Sequence, residues 1–594
     1  MKKVILVNAV FFSKDDSWHI GQFILRDILK KEYDVEVINF DYLCKTGIIN
    51  YSNDMKENIR LMGDYLLEKK PEAVGFYTIC NAYVTSLKLA EYIKLNCPEC
   101  FVFLGGPQAS VTYHESLEVF PFIDAICVGE SELMIKEFIN AAIEQDCDFE
   151  NVNGVAYKKN EGIFYRPNER MLSAEELHFY MIKDFSPFML NKGDRFNIEG
   201  GRGCPYSCSF CTTNSFWGNK YRLKKIDDII DEIMFMNQKY GISDFAIQHD
   251  MFTANRKKIA EFCRKVVDLN KNIDWVCSSR IDVLTYELID IMDNAKCSAI
   301  YIGLETGSPR MQKKIHKRLD LSDAIEKLLY IKANTAIKTT VSFVYCFPDE
   351  NIRDFKYTID IIEKLYLEGI TGVQLHRFMP LPGTEEMQKV KERLYYDKDV
   401  SELTLTNLNN SVVEEYIKKY PYIFSQYYTF DSEVKDRYQY FDIMVGMMEG
   451  LSEFYYHSFE FLMKMWGIEQ LYFRMKRILK EVRNRELKMG INDNYNNGAE
   501  KRILFWSKLL NSFFDNIKLD SNEMYIFDEI KKYEKYKSVF FVEKRKISEV
   551  LKFKINLHKW FENEQIVYED YYIKYKWDNG TVHTIQMKLK EALD

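Results

Sequence analysis

The chain has 594 residues, of which 47% are hydrophobic and 29% charged, with a formal net charge of −8. That length suits roughly three or four globular domains. The negative balance argues against nonspecific nucleic-acid binding and leaves only a local basic patch open, and no run approaches the roughly 18 apolar residues of a membrane span. There are 13 cysteines, the last at Cys346. In a chain of this size they do not read as a disulfide framework, and they suit a reducing compartment such as the cytoplasm. The opening Met1-Lys-Lys-Val-Ile-Leu-Val-Asn8 reads as a first strand, since its apolar run is short and no small-residue cleavage site follows.

Residues 1–150 alternate strand and helix. Continuous apolar runs at 3–10, 35–40, 73–77, 101–104 and 125–128 mark strands buried on both faces. Helical stretches lie between them, such as 83–95 with Leu87, Leu89, Ala90 and Ile93. The alternation implies a Rossmann-like, doubly wound parallel sheet, whose ligands sit at the carboxyl ends of the strands. Small residues fall there: Thr78 after the third strand, Gly105-Gly106-Pro107 after the fourth, Gly129-Glu130-Ser131 after the fifth. Glycine at such turns lets backbone approach a ligand closely. The loop after the first strand holds Asp16-Ser-Trp-His19-Ile-Gly21. Cys97-Pro-Glu-Cys100 is a redox or metal pair or, more simply, a turn before the fourth strand.

Residues 151–195 read as a connector. Asn153 to Tyr165 forms a hairpin with its turn at Asn160-Glu-Gly162. Then comes Glu199-Gly-Gly-Arg-Gly-Cys204-Pro-Tyr-Ser-Cys208-Ser-Phe-Cys211. Three thiolates at this spacing can hold three irons of a 4Fe–4S cluster. Ferredoxin-type clusters are closed by four cysteines, so three leave one iron open to a ligand that is not protein. A zinc knuckle needs four N or S ligands, and no fourth lies nearby at zinc-finger spacing.

With Phe210 just before the last cysteine, this loop resembles the signature of radical S-adenosylmethionine enzymes. The resemblance implies that the open iron chelates the amino and carboxylate groups of S-adenosylmethionine. Electron transfer, from a donor such as flavodoxin or ferredoxin, then cleaves the sulfonium to a 5′-deoxyadenosyl radical. Residues 1–145, with the glycine pair and Val128-Gly-Glu-Ser-Glu132, resemble the cobalamin-binding domain that precedes the barrel in one large group of these enzymes. That implies cobalamin beside Thr78, Gly105, Gly106, Gly129 and Glu130. Cobalamin domains of the methionine-synthase type carry Asp-x-His-x-x-Gly after the first strand, and its histidine ligates cobalt. The residue types recur here at a different spacing, and cobalamin radical enzymes often lack the motif. His19 is therefore either a cobalt ligand or a loop histidine that bonds at the surface or caps the next helix. The block itself is either a cobalamin domain or a Rossmann-like fold without its cofactor.

Residues 196–395 read as the barrel. Ile226, Ile229, Ile230 and Ile233 share one helical face. Strands follow at 244–249, 275–279, 299–304, 339–345 and 372–378. With the cysteine-bearing segment these make about six β/α units, a partial triose-isomerase-like barrel open on one side, as in the family. Catalytic groups of such barrels lie at the carboxyl ends of the strands. Asp250, in Gln248-His249-Asp250, suits the ammonium of S-adenosylmethionine. Arg280 suits its carboxylate, or pairs with Asp282 instead. Gly303-Leu-Glu305-Thr-Gly307-Ser308 resembles the Gly-Ile-Glu-Ser-Gly-Ser stretch of these barrels. It gives Glu305 polar contacts to the ligand or a capping role, and Gly303 a close backbone approach. Cys346-Phe-Pro-Asp-Glu350 stands where relatives have Gly-Leu-Pro-Gly-Glu, which leaves the loop conformation open. Cys346 is a hydrogen-atom donor or a small packing group. Leu381-Pro-Gly-Thr384 matches the closing turn of the last unit.

Residues 396–594 contain no cysteine, hence no cysteine-ligated auxiliary cluster. Helical spacing runs to about 515, and the aromatic stripes read as core. Asn492-Asp-Asn-Tyr-Asn-Asn-Gly498 reads as a surface loop, and 567–575 with 581–589 as a hairpin about Asp578-Asn-Gly580. This mostly helical region is expected to shape the substrate site.

Two activities compete. One is cobalamin-dependent radical methylation of an unactivated carbon in a peptide or small natural product. The other is a radical rearrangement, ring contraction or crosslink without net methyl transfer. A cluster-based sensor fits less well, because barrel ligand motifs accompany the cysteines. A methylthiotransferase normally carries an extra N-terminal cysteine set.

Overall fold

The apolar runs of the first 130 residues form one parallel sheet. In this computed structural model β1 (Lys3–Asn8), β2 (Asp34–Asn39), β3 (Ala73–Tyr77), β4 (Phe101–Gly105) and β5 (Ala125–Cys127) pair in parallel. The structure describes every residue except 10–18, 145–146, 161, 183–184, 186–193, 399, 402–410, 489–497, 544–548, 564, 566–570, 579–580 and 588–594. Two-residue alternation sends Ile5 and Val7 into one apolar cluster and Val4 and Leu6 into another, so both faces are covered. The connector hairpin, β6 (Val155–Lys159) and β7 (Gly162–Arg166), is not a free ribbon. It adds antiparallel to β5 and gives the order β2-β1-β3-β4-β5-β6-β7. Val155, Ala156 and Tyr157 are buried, while the lysines that follow and most of β7 are exposed, as an edge requires. The order reverses at β1, which opens a crevice at the carboxyl ends of β1 and β3.

Two compact units emerge: Met1–Phe355 with His376–Arg437 and Leu487–Tyr495, and Lys356–Leu375 with Tyr438–Glu486 and Asn496–Asp594. In the first unit part of the chain beyond 395 packs back on the first sheet. Gln108 Nε2 donates to the Ile423 carbonyl at 2.9 Å, and the rings of Phe120 and Tyr416 stack at 5.6 Å.

The second sheet begins with β8 (Arg195–Glu199). A two-residue antiparallel ribbon of β9 (Gly201–Arg202) and β10 (Arg222–Leu223) then brackets the cysteine loop. β11 (Asp244–Gln248), β12 (Asp274–Ser279), β13 (Cys297–Glu305), β14 (Lys338–Tyr345) and β15 (Val373–Arg377) complete the order β15-β14-β13-β12-β11-β8. The six strands are the six units read from the sequence, each within two residues of its expected start. The pairings from β8 through β14 are parallel.

The second unit carries long helices and a sheet of β16 (Glu549–Phe553), β17 (Tyr571–Asp578) and β18 (Thr581–Met587). The hairpin lies where the sequence places it, although the tip of its turn is outside the described residues, as is most of the 492–498 loop. The sequence reading missed β16 and the helix Ser521–Glu543. The aromatic stripe is core, with Phe454, Tyr455 and Phe459 all buried. The helix Ser452–Trp466 kinks at Tyr455, and the Glu534 carboxylate accepts from His457 N at 2.7 Å and Ser458 N at 3.1 Å. Among the described residues no helix is long and apolar enough to cross a membrane.

Candidate functional site

The cysteine loop is held from both sides. Gly203 has φ +77, and a Cβ there would stand 1.9 Å from the Lys220 carbonyl oxygen, so only glycine fits. Cys211 N closes a turn on Cys208 O at 3.2 Å, and Ser209 N donates to Ile315 O at 3.1 Å. Ser209 Oγ donates to buried Glu386 at 2.6 Å. Phe210 packs edge-on to Phe347, ring centroids 5.6 Å apart. The three thiols are half-buried and free of disulfides. Among the described residues no group of three or more His, Cys, Asp or Glu converges closely enough to hold a single ion, as a zinc knuckle requires. Three thiols with no converging fourth ligand fit a cluster, which spreads its thiolates over separate irons.

A buried ionic hub adjoins this loop. Arg202, two residues before Cys204, gives Nε to Glu199 at 2.7 Å, Nη1 to Glu130 at 3.0 Å and Nη2 to Glu132 at 2.6 Å. Arg222 Nη1 reaches the same Glu130 oxygen at 2.7 Å, and Leu172 N donates to the other at 2.9 Å. Side-chain exposure across Glu130, Glu132, Arg202 and Arg222 is 5–9%. Burial works to raise the Glu132 carboxyl, but the charge and hydrogen bond of Arg202 outweigh it and hold it below its ordinary value. Trp217 lies under both guanidinium groups, at 5.7 and 5.5 Å. Glu130, expected beside cobalamin, therefore has both carboxylate oxygens engaged in joining the β5 loop, the connector and the cysteine loop.

One cavity of about 1210 Å³ opens beside these groups. The carboxyl ends of the first sheet wall one side, with Tyr77, Gly105, Gly106 and Gly129. Alternate residues of five barrel strands, Asn197, Gln248, Ser278, Tyr301 and Thr340, wall the other. An apolar recess formed by Leu6, Phe103 and Ile135 continues it into the first sheet's core. Gly105 is a cradle: an added Cβ would meet nothing closer than Cys127 Cβ at 3.7 Å. Gly106 is glycine for a different reason. Its φ is +97, and a Cβ would stand 2.8 Å from Thr78 O. Thr78 does not line the cavity. It is fully buried, with Oγ1 donating to Gly105 O at 2.8 Å and accepting from Ala109 N at 3.0 Å. Gly129, at φ +80, does line it. The size of the space, its glycine rim and its apolar recess fit a cobalamin. His19 faces the cavity with its ring 4.3 Å from that of Tyr77, and burial pulls its pKa down to about 4. It makes no side-chain cap to the helix Ile20–Leu29. Asp16 lies outside the described residues.

The expected S-adenosylmethionine residues flank the cysteine loop in two groups. Asp250 stands at the cavity rim and accepts from Gly203 N at 3.1 Å and Thr213 Oγ1 at 3.2 Å, just before and just after the three cysteines. Arg280 lies on the other side, its guanidinium 3.9 Å from the centre of the Tyr206 ring within the loop. It pairs with Asp282 through Nε at 3.1 Å and Nη2 at 2.9 Å, the alternative that the sequence left open. Its Nη1 is buried and makes no well-formed hydrogen bond among the described residues. Glu305 has φ +66, at a break in the β13–β14 register, and its carboxylate meets Lys317 Nζ at 3.0 Å. It lies across Gly303, where an added Cβ would be 2.1 Å from Glu305 Oε1. Gly303 thus makes room for a side chain. Two residues went unnoticed in the sequence. Lys317 had no motif to mark it. His249 is stacked at 5.0 Å on Tyr221, with neither ring nitrogen in a well-formed hydrogen bond and Arg202 and Gly203 as its nearest backbone partners.

Cys346 takes φ +64, the left-handed conformation that glycine adopts most readily. Its N–H donates to buried Glu350 at 2.6 Å. Cys346 does not line the cavity, and it is 4% exposed. Cys97 and Cys100 close a one-turn link, Cys100 N donating to Cys97 O at 3.1 Å.

Residues 198–362 match the family model described as the Radical SAM superfamily. The chain carries a radical S-adenosylmethionine domain and is an enzyme of that class, defined by a 4Fe–4S cluster with S-adenosylmethionine. An uncharacterized methyltransferase of Pyrococcus horikoshii is 25% identical over 370 residues, which cover 61% of this chain and 76% of that protein. The fold is similar to that of TsrM from Kitasatospora setae, a radical S-adenosylmethionine methyltransferase solved with tryptophan substrate. The TM-score is 0.53 at 16% identity, over 66% of this chain and 76% of that one. It is also similar to OxsB, a cobalamin-dependent S-adenosylmethionine radical enzyme solved with aqua-cobalamin. There the TM-score is 0.52 at 14% identity, over 90% of this chain and 84% of that one.

Proposed function

We propose that the protein is a cobalamin-dependent radical S-adenosylmethionine methyltransferase acting on an unactivated carbon of a peptide or small natural product. The observation that carries this reading is the single cavity shared by the strand ends of the first sheet and the inner strand residues of the barrel, with the cysteine loop's own Arg202 on its wall. In this reading residues 1–150 are the cobalamin domain, 151–195 the connector and 196–395 the catalytic barrel. When bound, the cluster with S-adenosylmethionine supplies a hydrogen-abstracting radical, and cobalamin supplies the methyl group.

The chain's own residues bind and orient. Cys204, Cys208 and Cys211 hold three irons. Asp250 accepts from the ammonium of S-adenosylmethionine, Arg280 Nη1 donates to its carboxylate, and Glu305 accepts from the ammonium or the ribose hydroxyls. Gly105 and Gly129 admit the corrin edge, and Leu6, Phe103 and Ile135 keep water from the recess. Thr78, Gly106, Gly303 and Glu130 support these contacts by fixing the loops. A one-electron donor such as flavodoxin or ferredoxin would supply the reducing electron, and the cytoplasm suits that chemistry.

The test is anaerobic reconstitution with iron, sulfide and hydroxocobalamin, followed by desalting. The expected protein holds about four irons per chain, keeps the corrinoid absorbance and makes 5′-deoxyadenosine from S-adenosylmethionine under dithionite. Protein that makes 5′-deoxyadenosine but keeps no corrinoid overturns the cobalamin-dependent reading.

A further inference from the structure

A second buried charge cluster lies beside the cysteine loop. It joins the ends of β12 and β13 to the turn 315–319. Lys317 is its centre. Its ammonium meets Glu305 at 3.0 Å, with side-chain exposures of 8% and 12%. Its carbonyl oxygen accepts from Arg280 Nη2 at 2.8 Å. One residue therefore touches both Glu305 and Arg280.

The backbone around Lys317 is shaped for this. His316 has φ +59 and Arg318 φ +56, and Glu305 opposite has φ +66. Three non-glycine residues in the left-handed region within one small cluster is unusual, and such backbone persists only where neighbours fix it. Buried Gln312 is that neighbour. Its Nε2 donates to Leu304 O and Thr306 O, each at 2.8 Å, and its Oε1 accepts from Leu319 N at 3.1 Å. The turn is also tied to the cysteine loop, through Ser209 N on Ile315 O. The charge cluster thus has a fixed position against the cysteine loop. Arg280 is 6% exposed and lies against Tyr206, yet its Nη1 makes no well-formed hydrogen bond among the described residues. A buried guanidinium nitrogen left open beside the cluster loop is a donor awaiting an anion.

We propose that Lys317 is the positioning residue of the S-adenosylmethionine site, fixing Glu305 through its ammonium and Arg280 through its carbonyl oxygen. This rests on the reading in which Arg280 and Glu305 bind S-adenosylmethionine. Lys317 itself does not touch the ligand. It holds the acceptor and the open donor at a set separation, so that ligand binding need not order them.

The test uses the full-length protein with its cluster reconstituted. The readouts are iron content and the change that S-adenosylmethionine makes in the electron paramagnetic resonance spectrum of the reduced cluster, titrated against ligand. K317M should hold iron and give the parent spectrum without ligand, but need roughly ten- to a hundredfold more S-adenosylmethionine for the spectral change. K317R should stay within about threefold, because the charge remains. The double variant E305Q/K317M should need no more ligand than E305Q alone, because Lys317 acts through Glu305. If K317M fails to hold iron, K317Q, which keeps a donor to Glu305 but not the charge, takes its place in both the single and the double variant. Parent-like affinity in K317M, or additive losses in the double variant, overturns the role of Lys317 when R280K and E305Q are weakened. Parent-like affinity in R280K and E305Q as well overturns the underlying site assignment instead.

Discussion

Glu130→Gln should do more damage than any exposed charge removal in this protein. Both Glu130 oxygens are acceptors, one for Arg202 and Arg222 and the other for Leu172 N. A glutamine amide has one acceptor end. Either its NH2 faces the Leu172 N–H or it faces the two guanidinium groups, so at least one buried donor loses its partner. Arg202 keeps Glu132 and Glu199, but Arg222 loses the one carboxylate it pairs with among the described residues, with the Leu172 carbonyl at 2.7 Å remaining. Removing one member of a buried ion pair costs about 3–5 kcal/mol, because the other charge is left uncompensated. Against a typical total of about 5–15 kcal/mol that is a large loss. A large chain does not unfold in two states, so hydrogen exchange at the amides of β5 and the following loop is the better assay. Protection there should fall by two orders of magnitude or more for a loss of about 3 kcal/mol. Glu176→Gln is the control. It breaks an exposed pair with Arg170, and solvent screening leaves such pairs little to contribute. Equal protection in the two variants would refute the claim that the hub holds these loops together.

Cys204→Ala, Cys208→Ala or Cys211→Ala should each abolish 5′-deoxyadenosine formation while circular dichroism stays near the parent; activity with about four irons retained would contradict the assignment. Gly105→Ala should fold normally, because its Cβ has room, yet weaken corrinoid retention. Gly106→Ala should instead destabilise by roughly 1–3 kcal/mol, since both its φ and Thr78 O oppose a side chain. Thermal melts beside corrinoid retention separate the two. Burial raises the Glu350 carboxyl from 4.5 to about 8, against hydrogen bonds from Cys346 and Phe347 that lower it. The folded state therefore holds the proton that the unfolded chain releases, so stability should fall as pH rises from 4.5 to 8, by an amount on the order of 4 kcal/mol, and level off above. Glu350→Gln should flatten that slope, and an unchanged pH profile would show that Glu350 titrates normally.

The strands were legible because burial on both faces of a parallel sheet leaves unbroken apolar runs, as at 73–77 and 101–105. The connector hairpin was legible as a hairpin but not as an edge of the first sheet. Only pairing across β5 makes it one, and pairing is nonlocal. β16 was missed because its five residues, Glu549–Phe553, are bounded by no turn signal. The cysteine loop was legible as a candidate, because its three-then-two spacing with Phe210 is a local signal. The rest of the site was read less well, for one reason. Sequence shows which groups lie at strand ends but not which neighbours occupy them. Thr78 stands where a ligand residue is expected, yet its hydroxyl is taken by Gly105 O and Ala109 N, while Gly106 faces the cavity with Thr78 O at its back. Glu130 has the right place and is consumed by two arginines that arrive from 72 and 92 residues away. Lys317 left no local trace, because its partners Glu305 and Arg280 lie on two different strand ends.

The most direct measurement follows the methyl group. Protein reconstituted with cluster and hydroxocobalamin is incubated under reducing conditions with methyl-labelled S-adenosylmethionine, and the corrinoid fraction is recovered and counted. The account predicts label in the corrinoid that stays with the protein, at a level that falls in Gly105→Ala. Unlabelled corrinoid from protein that still makes 5′-deoxyadenosine would contradict it, and would leave a radical enzyme that does not transfer methyl groups.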